Sequence, residues 1–239
     1  MRVDVLGVGI DCLSMEQVVA EIVRFVSEGK PRRVVTANPE MLYYAQHKPE
    51  TKALLNQADL VTADGEGVVW AARFLRQPIP QRITGIDLLN AVFPVANSRC
   101  WRIFLLGAAP GIAAEAARRL KLQYPNIEFA ECDGYFPASR EPEVLAQIKQ
   151  FAPQLLLVGL GAVRQEQWIA DYLSGLNVPV AIGVGGSFDV WSGKLKRAPY
   201  WVQRIKLEWF YRLLSQPRRL KRQINLPKFV LAVVQQKYL

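Results

Sequence analysis

Asp64 stands where an apolar stretch, Ala58–Ala63, runs into Asp64-Gly65-Glu66-Gly67. A carboxylate at the end of a strand can act as a general base and take a proton from a hydroxyl. The same residue can instead cap the helix that follows. Asp64-Gly65-Glu66 is also the nearest the chain comes to a pair of metal-binding carboxylates, and no Asp-x-Asp triplet occurs. Arginines can replace a metal in holding an anionic leaving group. Arg82 is such an arginine, between Gln77-Pro-Ile-Pro80-Gln81 and Ile83-Thr84-Gly85, although on pattern alone it reads as a solvated loop residue. His47 is the only histidine, which excludes a multi-histidine metal site and speaks against a histidine-based triad.

Further polar and glycine-rich segments each follow an apolar run: Thr36 with Asn38, Gly107–Gly111, Asp133-Gly134-Tyr135, Gly159-Leu160-Gly161, and Gly183–Asp189. Several such loops on one edge suit a large polar ligand such as a nucleotide. Singly, each also reads as a plain tight turn. Gly107-Ala-Ala-Pro-Gly111 lacks both the G-x-G-x-x-G pattern and the Lys-Ser/Thr of a P-loop. Gln165-Glu166 opens a helix beside Gly159–Gly161, where backbone N–H groups favour an anion and where capping is the simpler reading.

The elements that must position these residues alternate in type. Strands are predicted at Val3–Ile10, Arg33–Ala37, Ala58–Ala63, Trp101–Leu106, Ile127–Cys132, Gln154–Leu160 and Val178–Val184. Helices are predicted at Met15–Ser27, Glu40–Gln46, Val68–Leu75, Gly85–Ala96, Ile112–Tyr124, Glu143–Ala152 and Gln165–Leu173. Ser14, three residues before Gln17, forms a capping-box pattern at the first of them. This alternation predicts an α/β fold, a Rossmann-like, mainly parallel sheet covered by helices. Ligands of such sheets bind at the carboxyl ends of the strands, where all the segments above lie.

Charge divides the chain. Residues 194–239 hold 12 Lys and Arg against one acid, Glu208, and so carry +11 of a total of +9, leaving 1–193 at −2. Residues 1–193 are therefore read as an α/β body and 194–239 as a basic, aromatic-rich helical appendage. Basic residues mixed with Trp201, Trp209, Phe210, Tyr211 and Phe229 suit an anionic membrane surface. Trp201, Ile205, Trp209 and Leu213 fall on one helical stripe, with Arg204 and Arg212 on another face, and Pro217 and Pro227 divide the tail into two or three short helices. A helix packed on the body with a solvated basic face is the plainer reading. No nucleic-acid motif is present, so no nucleic-acid partner is expected. The apolar tail residues could also pair two subunits as a homo-oligomer. No apolar run is long enough to span a bilayer, the N-terminus reads as a strand and not a signal peptide, and Cys12, Cys100 and Cys132 fit neither a zinc pattern nor a disulfide framework. The expected location is the cytoplasm, peripheral at the inner face of the cell membrane, with the cysteines reduced.

The chain resembles the WecG/TagA/CpsF glycosyltransferases. The resemblance is carried in order by Thr36-Ala-Asn38-Pro-Glu40, Ala63-Asp64-Gly65, Arg82-Ile-Thr-Gly85-Ile-Asp87, Val158-Gly-Leu-Gly161, Gln165-Glu-Gln-Trp168, Gly183-Val-Gly-Gly-Ser-Phe-Asp189 and Gly193. It continues through Arg197-Ala-Pro199, Glu208-Trp209, Tyr211-Arg212-Leu213 and Pro217-Arg-Arg219-Leu-Lys-Arg222. It implies inverting, metal-independent transfer of an N-acetylmannosamine-type sugar from a UDP-sugar to undecaprenyl-diphosphate-linked N-acetylglucosamine, without a cofactor. N-acetylmannosamine, its uronic acid and glucose all remain open as the donor sugar. The resemblance further implies that Asp64 is the base, that Thr36, Asn38 and Gln165 are polar positioning residues, and that Arg82 is the body arginine. It makes Arg212, Arg219 and Arg222 the appendage arginines, and gives uracil or ribose contacts to Asp189 and the Gly134-Tyr135 turn. One departure is visible: the usual Gly-x-Pro-[Lys/Arg]-Gln-Glu loop has Val163 in place of proline, which loosens it. Two rival readings are a nicotinamide-dependent oxidoreductase and a non-enzymatic membrane adaptor.

Overall fold

The structure, a computed structural model, describes residues 1–215 and 225–238, without the side chains at 212, 214 and 215. The predicted first strand is a hairpin instead. β1 (Arg2–Val5) and β2 (Val8–Asp11) pair antiparallel as a separate two-stranded sheet. Leu6 and Gly7 between them take φ of 55° and 80°, the positive values that a two-residue primed turn demands. The hairpin's Val3, Val5, Val8 and Ile10 are all fully buried.

The main sheet has six parallel strands: β3 (Arg32–Ala37), β4 (Leu60–Ala63), β5 (Arg102–Gly107), β6 (Glu128–Cys132), β7 (Leu155–Gly159) and β8 (Val180–Gly183). Their order is β4-β3-β8-β7-β5-β6. The chain steps outward from β3 to β4 and, in the other half, from β5 to β6; β7 and β8 then fill the middle. Helices cover both faces, as the unbroken apolar strands require. On one face Val34, Leu60, Ile103, Leu105, Leu157 and Ile182 pack against α1 (Met15–Glu28), α5 (Gly85–Ser98) and α6 (Ile112–Gln123). On the other, Phe104, Leu106, Leu156, Val158 and Ala181 meet α7 (Glu141–Phe151) and α8 (Arg164–Leu176). Val35, Ala37, Val61 and Ala63 meet the hairpin, α2 (Pro39–His47) and α4 (Glu66–Phe74). The Ser14 capping box forms as read. A short helix, α3 (Pro49–Asn56), follows α2 directly, and α9 (Ser187–Trp191) follows β8.

The appendage differs from its expected single stripe. α10 (Tyr200–Arg204) and α11 (Glu208–Ser215) are separate helices, broken where Lys206 takes a φ of 63°. Trp201, Ile205 and Trp209 are exposed instead of seated on the body. Pro227 does not divide helices; it lies in the first turn of α12 (Asn225–Tyr238). α12 returns to the body. Its Phe229, Ala232 and Val233 are buried in the cluster shared with the hairpin, and Gln236 Oε1 accepts the Leu6 N–H at 2.8 Å. No helix among the described residues is long and apolar enough to cross a membrane. The three cysteines are unpaired: Cys132 is buried, Cys12 half-buried and Cys100 exposed.

Candidate active site

The carboxyl ends of the parallel strands carry the candidate residues into one cavity of about 560 Å³. Thr36 is the penultimate residue of β3, Asn38 caps α2, Asp64 follows β4, the Gly134-Tyr135 turn follows β6, Gly159 ends β7 with Gly161 just beyond it, and Gln165 and Asp189 lie on the helices after β7 and β8; all of them line it. A second cavity, of about 290 Å³, adjoins it. Arg82, Glu66, Glu208, Trp209 and Leu226 line that one. Asn38, Glu40, Asp64 and Thr84 line both. Of the other sequence candidates, Arg219 and Arg222 lie outside the described residues, as does the side chain of Arg212.

Each of these residues is held by its element. The Asp64 N–H donates to the Ala37 carbonyl at 2.8 Å, which ties the β4 end to β3. Gly65, not Asp64, occupies the N-cap position of α4. Asn38 Oδ1 accepts the Met41 N–H at 3.0 Å. Thr36 is buried, with its hydroxyl 3.4 Å from the Gly183 carbonyl. Gln165, also buried, bridges two loops. Its Oε1 accepts the Gly185 N–H at 3.0 Å, and its Nε2 donates to Glu166 Oε1 at 2.7 Å. Asp189 lies 3.6 Å from Lys194. Tyr135 is exposed at the rim.

Glu166 caps the helix it opens, as its position in the sequence suggests. It is buried, and its Oε2 accepts the Val163 N–H at 2.6 Å. A proline at 163 has no N–H to give and holds φ near −65°, whereas Val163 sits at 68°. The loop expected to loosen is therefore tethered by a bond that only a non-proline residue can make. Burial pushes the Glu166 carboxyl up, against the hydrogen bonds from Gln165 and Val163. A carboxyl raised on folding destabilises the fold as the pH climbs from its ordinary value of 4.5 through the folded one, and this cost vanishes below the ordinary value. Glu166→Gln removes that dependence but points an amide N–H₂ at a donor. Below pH 4.5, where the charge cost is absent, we expect about 1–3 kcal/mol lower stability, the usual cost of an unsatisfied buried group; above it the curve should be flatter and the deficit should shrink as the pH rises. Urea melts at several pH values check both.

Arg82 is half-buried and not solvated. Its Nη2 donates to Glu208 Oε2 at 3.4 Å, and Asp87 and Glu66 stand at 3.8 and 3.9 Å. Burial alone would raise the Asp87 carboxyl, but Arg197, Thr84 and Arg82 together hold it below the ordinary aspartate value. Sequence reading gave Arg197 and Glu208 no task beyond membership of short motifs. Trp191 packs on Phe93 and Phe188, as a core tryptophan does. Among the described residues, no group of three or more His, Cys, Asp or Glu side chains could hold a metal ion.

The arrangement offers a polar cavity over backbone-rich strand ends and a carboxylate in the wall towards a second cleft. The model of the glycosyl transferase WecG/TagA/CpsF family matches residues 3–239. The chain belongs to this family. It is similar to an N-acetylglucosaminyldiphosphoundecaprenol N-acetyl-beta-D-mannosaminyltransferase of Staphylococcus aureus strain MW2, at 38% identity over 99% of this chain and 93% of the relative. A protein of the same name from strain MRSA252 is 37% identical over the same shares. Membership of the WecG/TagA/CpsF family makes the protein a glycosyltransferase and sets aside the oxidoreductase and adaptor readings.

Proposed function

We propose that the protein is an inverting, metal-independent hexosyltransferase that moves an N-acetylmannosamine-type sugar from a UDP-sugar to undecaprenyl-diphosphate-linked N-acetylglucosamine. The observation that carries this reading is the position of Asp64 and Asn38 in the wall common to the two cavities. The larger cavity takes the UDP-sugar, with Asp189 and the Gly134-Tyr135 turn on the nucleoside and the glycine loops under the diphosphate. The smaller takes the acceptor. Asp64 removes the proton from the acceptor hydroxyl as that oxygen attacks the anomeric carbon opposite the departing UDP, which inverts the centre. Thr36, Asn38 and Gln165 position the donor. Arg82, with Arg212, Arg219 and Arg222, stabilises diphosphate charge without a metal. The names of the Staphylococcus aureus relatives support this choice of donor sugar and acceptor.

The appendage brings this site to the inner face of the membrane. Its net charge of +11 favours anionic lipid, at about 1 kcal/mol per basic residue near the surface. Exposed Trp201, Trp209 and Phe210 add interfacial aromatics.

Calorimetric titration with UDP in EDTA tests the nucleotide side. One saturable site is expected, weakened about 10- to 100-fold by Asp189→Ala, the usual range for a hydrogen bond to a charged group. The absence of UDP binding would contradict the reading.

A further inference from the structure

Where the appendage joins the body, four charged side chains alternate around a ring. Arg82 lies 3.8 Å from Asp87, Asp87 2.6 Å from Arg197, Arg197 3.6 Å from Glu208, and Glu208 3.4 Å from Arg82. Arg82 precedes α5 and Asp87 lies in its first turn; Arg197 precedes α10 and Glu208 opens α11. The ring therefore spans both parts of the chain. Arg197 grips Asp87 with two nitrogens, Nη1 at 2.6 Å and Nη2 at 2.9 Å. All four side chains are at least partly withdrawn from water, at 18%, 30%, 19% and 6% exposure for Arg82, Asp87, Arg197 and Glu208.

Arg82 alone faces three carboxylates within 4 Å, since Glu66 stands at 3.9 Å. A guanidinium so surrounded is a poor ligand for a diphosphate unless those carboxylates keep another cation after it leaves them, because an unpaired half-buried carboxylate is costly. Lys206 serves Glu66 in this way at 3.1 Å. Arg197 contacts both of the others.

We propose that Arg197 is a positioning residue: by holding Asp87 and Glu208 it lets Arg82, in the wall of the acceptor cavity, exchange these carboxylates for the diphosphate of the lipid acceptor. Arg197 itself need not touch substrate. The inference rests on the reading of Arg82 as a diphosphate ligand. Since Arg197 and Glu208 belong to the appendage, docking of that segment and the readiness of Arg82 are one event.

The test is steady-state transfer by the full-length protein from UDP-N-acetylmannosamine to a synthetic lipid-diphosphate N-acetylglucosamine, with thermal melting alongside. Arg197→Gln should raise KM for the acceptor about 5- to 150-fold, the usual size of a coupling between linked sites, with a smaller change in kcat. Glu208→Gln should lower both the melting temperature and that KM, because Arg82 then has one anion fewer to leave. The double variant should recover most of the KM lost in Arg197→Gln. If Arg197→Gln does not fold, Arg197→Lys should show an intermediate KM, as lysine keeps the charge but not the two-pronged grip. A KM unchanged in the arginine variants, or raised equally by Glu208→Gln with no recovery in the double variant, overturns the inference and leaves the ring a scaffold. Arg82→Gln separates the two levels. An acceptor KM unmoved by it overturns the diphosphate reading and the inference together, whereas a loss there beside an unaffected Arg197→Gln overturns the inference alone.

Discussion

Asp64→Asn is expected to lower turnover about 10²–10⁴-fold, the range of a lost general base, while UDP binding is retained. Asparagine keeps the size and most of the polarity of the side chain, so the two cavities that share this wall keep their shape. The Asp64 backbone stays bonded to Ala37 in either case. What is lost is the ability to take the acceptor proton as the new bond forms. The effect should therefore fall on kcat and kcat/KM alike, with little change in donor affinity. Stopped-time transfer assays and UDP titration of the same preparation check the two halves. An unaltered rate would remove Asp64 as the base.

Gly107→Ala should produce the largest loss of stability. Gly107 ends β5 at a φ of 132°, and a Cβ there would lie 2.5 Å from the Gly159 carbonyl oxygen and 2.6 Å from its carbon. Both obstacles are backbone, in the neighbouring strand of the sheet, so no side chain can swing aside. The same crossing carries a bond from the Ala108 N–H to that carbonyl at 3.1 Å and one from the Gly134 N–H to Ala108 at 2.9 Å. Forced backbone conformation and overpacking each cost about 1–3 kcal/mol, together about 2–6 kcal/mol. At about 2–4 °C per kcal/mol for a domain of this size, the melting temperature should fall by roughly 10 °C. UDP binding should weaken as well, since the β5, β6 and β7 loops meet at this point. A melting temperature within about 2 °C of the parent, the shift that roughly 1 kcal/mol gives, would show that the strand ends separate more easily than this packing allows.

Much of this site was legible because its parts are local. An apolar run followed by glycine or a small polar cluster marks a strand and the loop at its carboxyl end, and this pattern recurs at Thr36, Asp64, Gly107, Gly134, Gly159 and Gly183. The alternation of strand and helix then forces those loops to one edge, and nine sequence candidates meet in one cavity. What escaped notice depends on neighbours distant in the chain. The capping read at Gln165-Glu166 forms, through the Val163 N–H; the burial of Glu166 has no local signal, because carboxylates are seldom buried, and it follows from Gln165 and the β8 end. The pairing of Asp87 with Arg197 joins residues 110 positions apart. The hairpin was hidden because Leu6, a residue that rarely takes positive φ, does so here. The break between α10 and α11 has the same cause at Lys206, where neither glycine nor proline announces it. α3 was overlooked because α2 runs almost directly into it, with only Pro49 at its first turn as a signal.

The most direct test of the central claim is transfer itself: purified full-length protein, synthetic lipid-diphosphate N-acetylglucosamine, a panel of UDP-sugars, and EDTA throughout. The account predicts that one donor, of the N-acetylmannosamine type, yields a lipid-linked disaccharide with inverted anomeric configuration, and that Asp64→Asn abolishes nearly all of it. Transfer that disappears in EDTA and returns with a divalent cation, or that proceeds undiminished in Asp64→Asn, would contradict it.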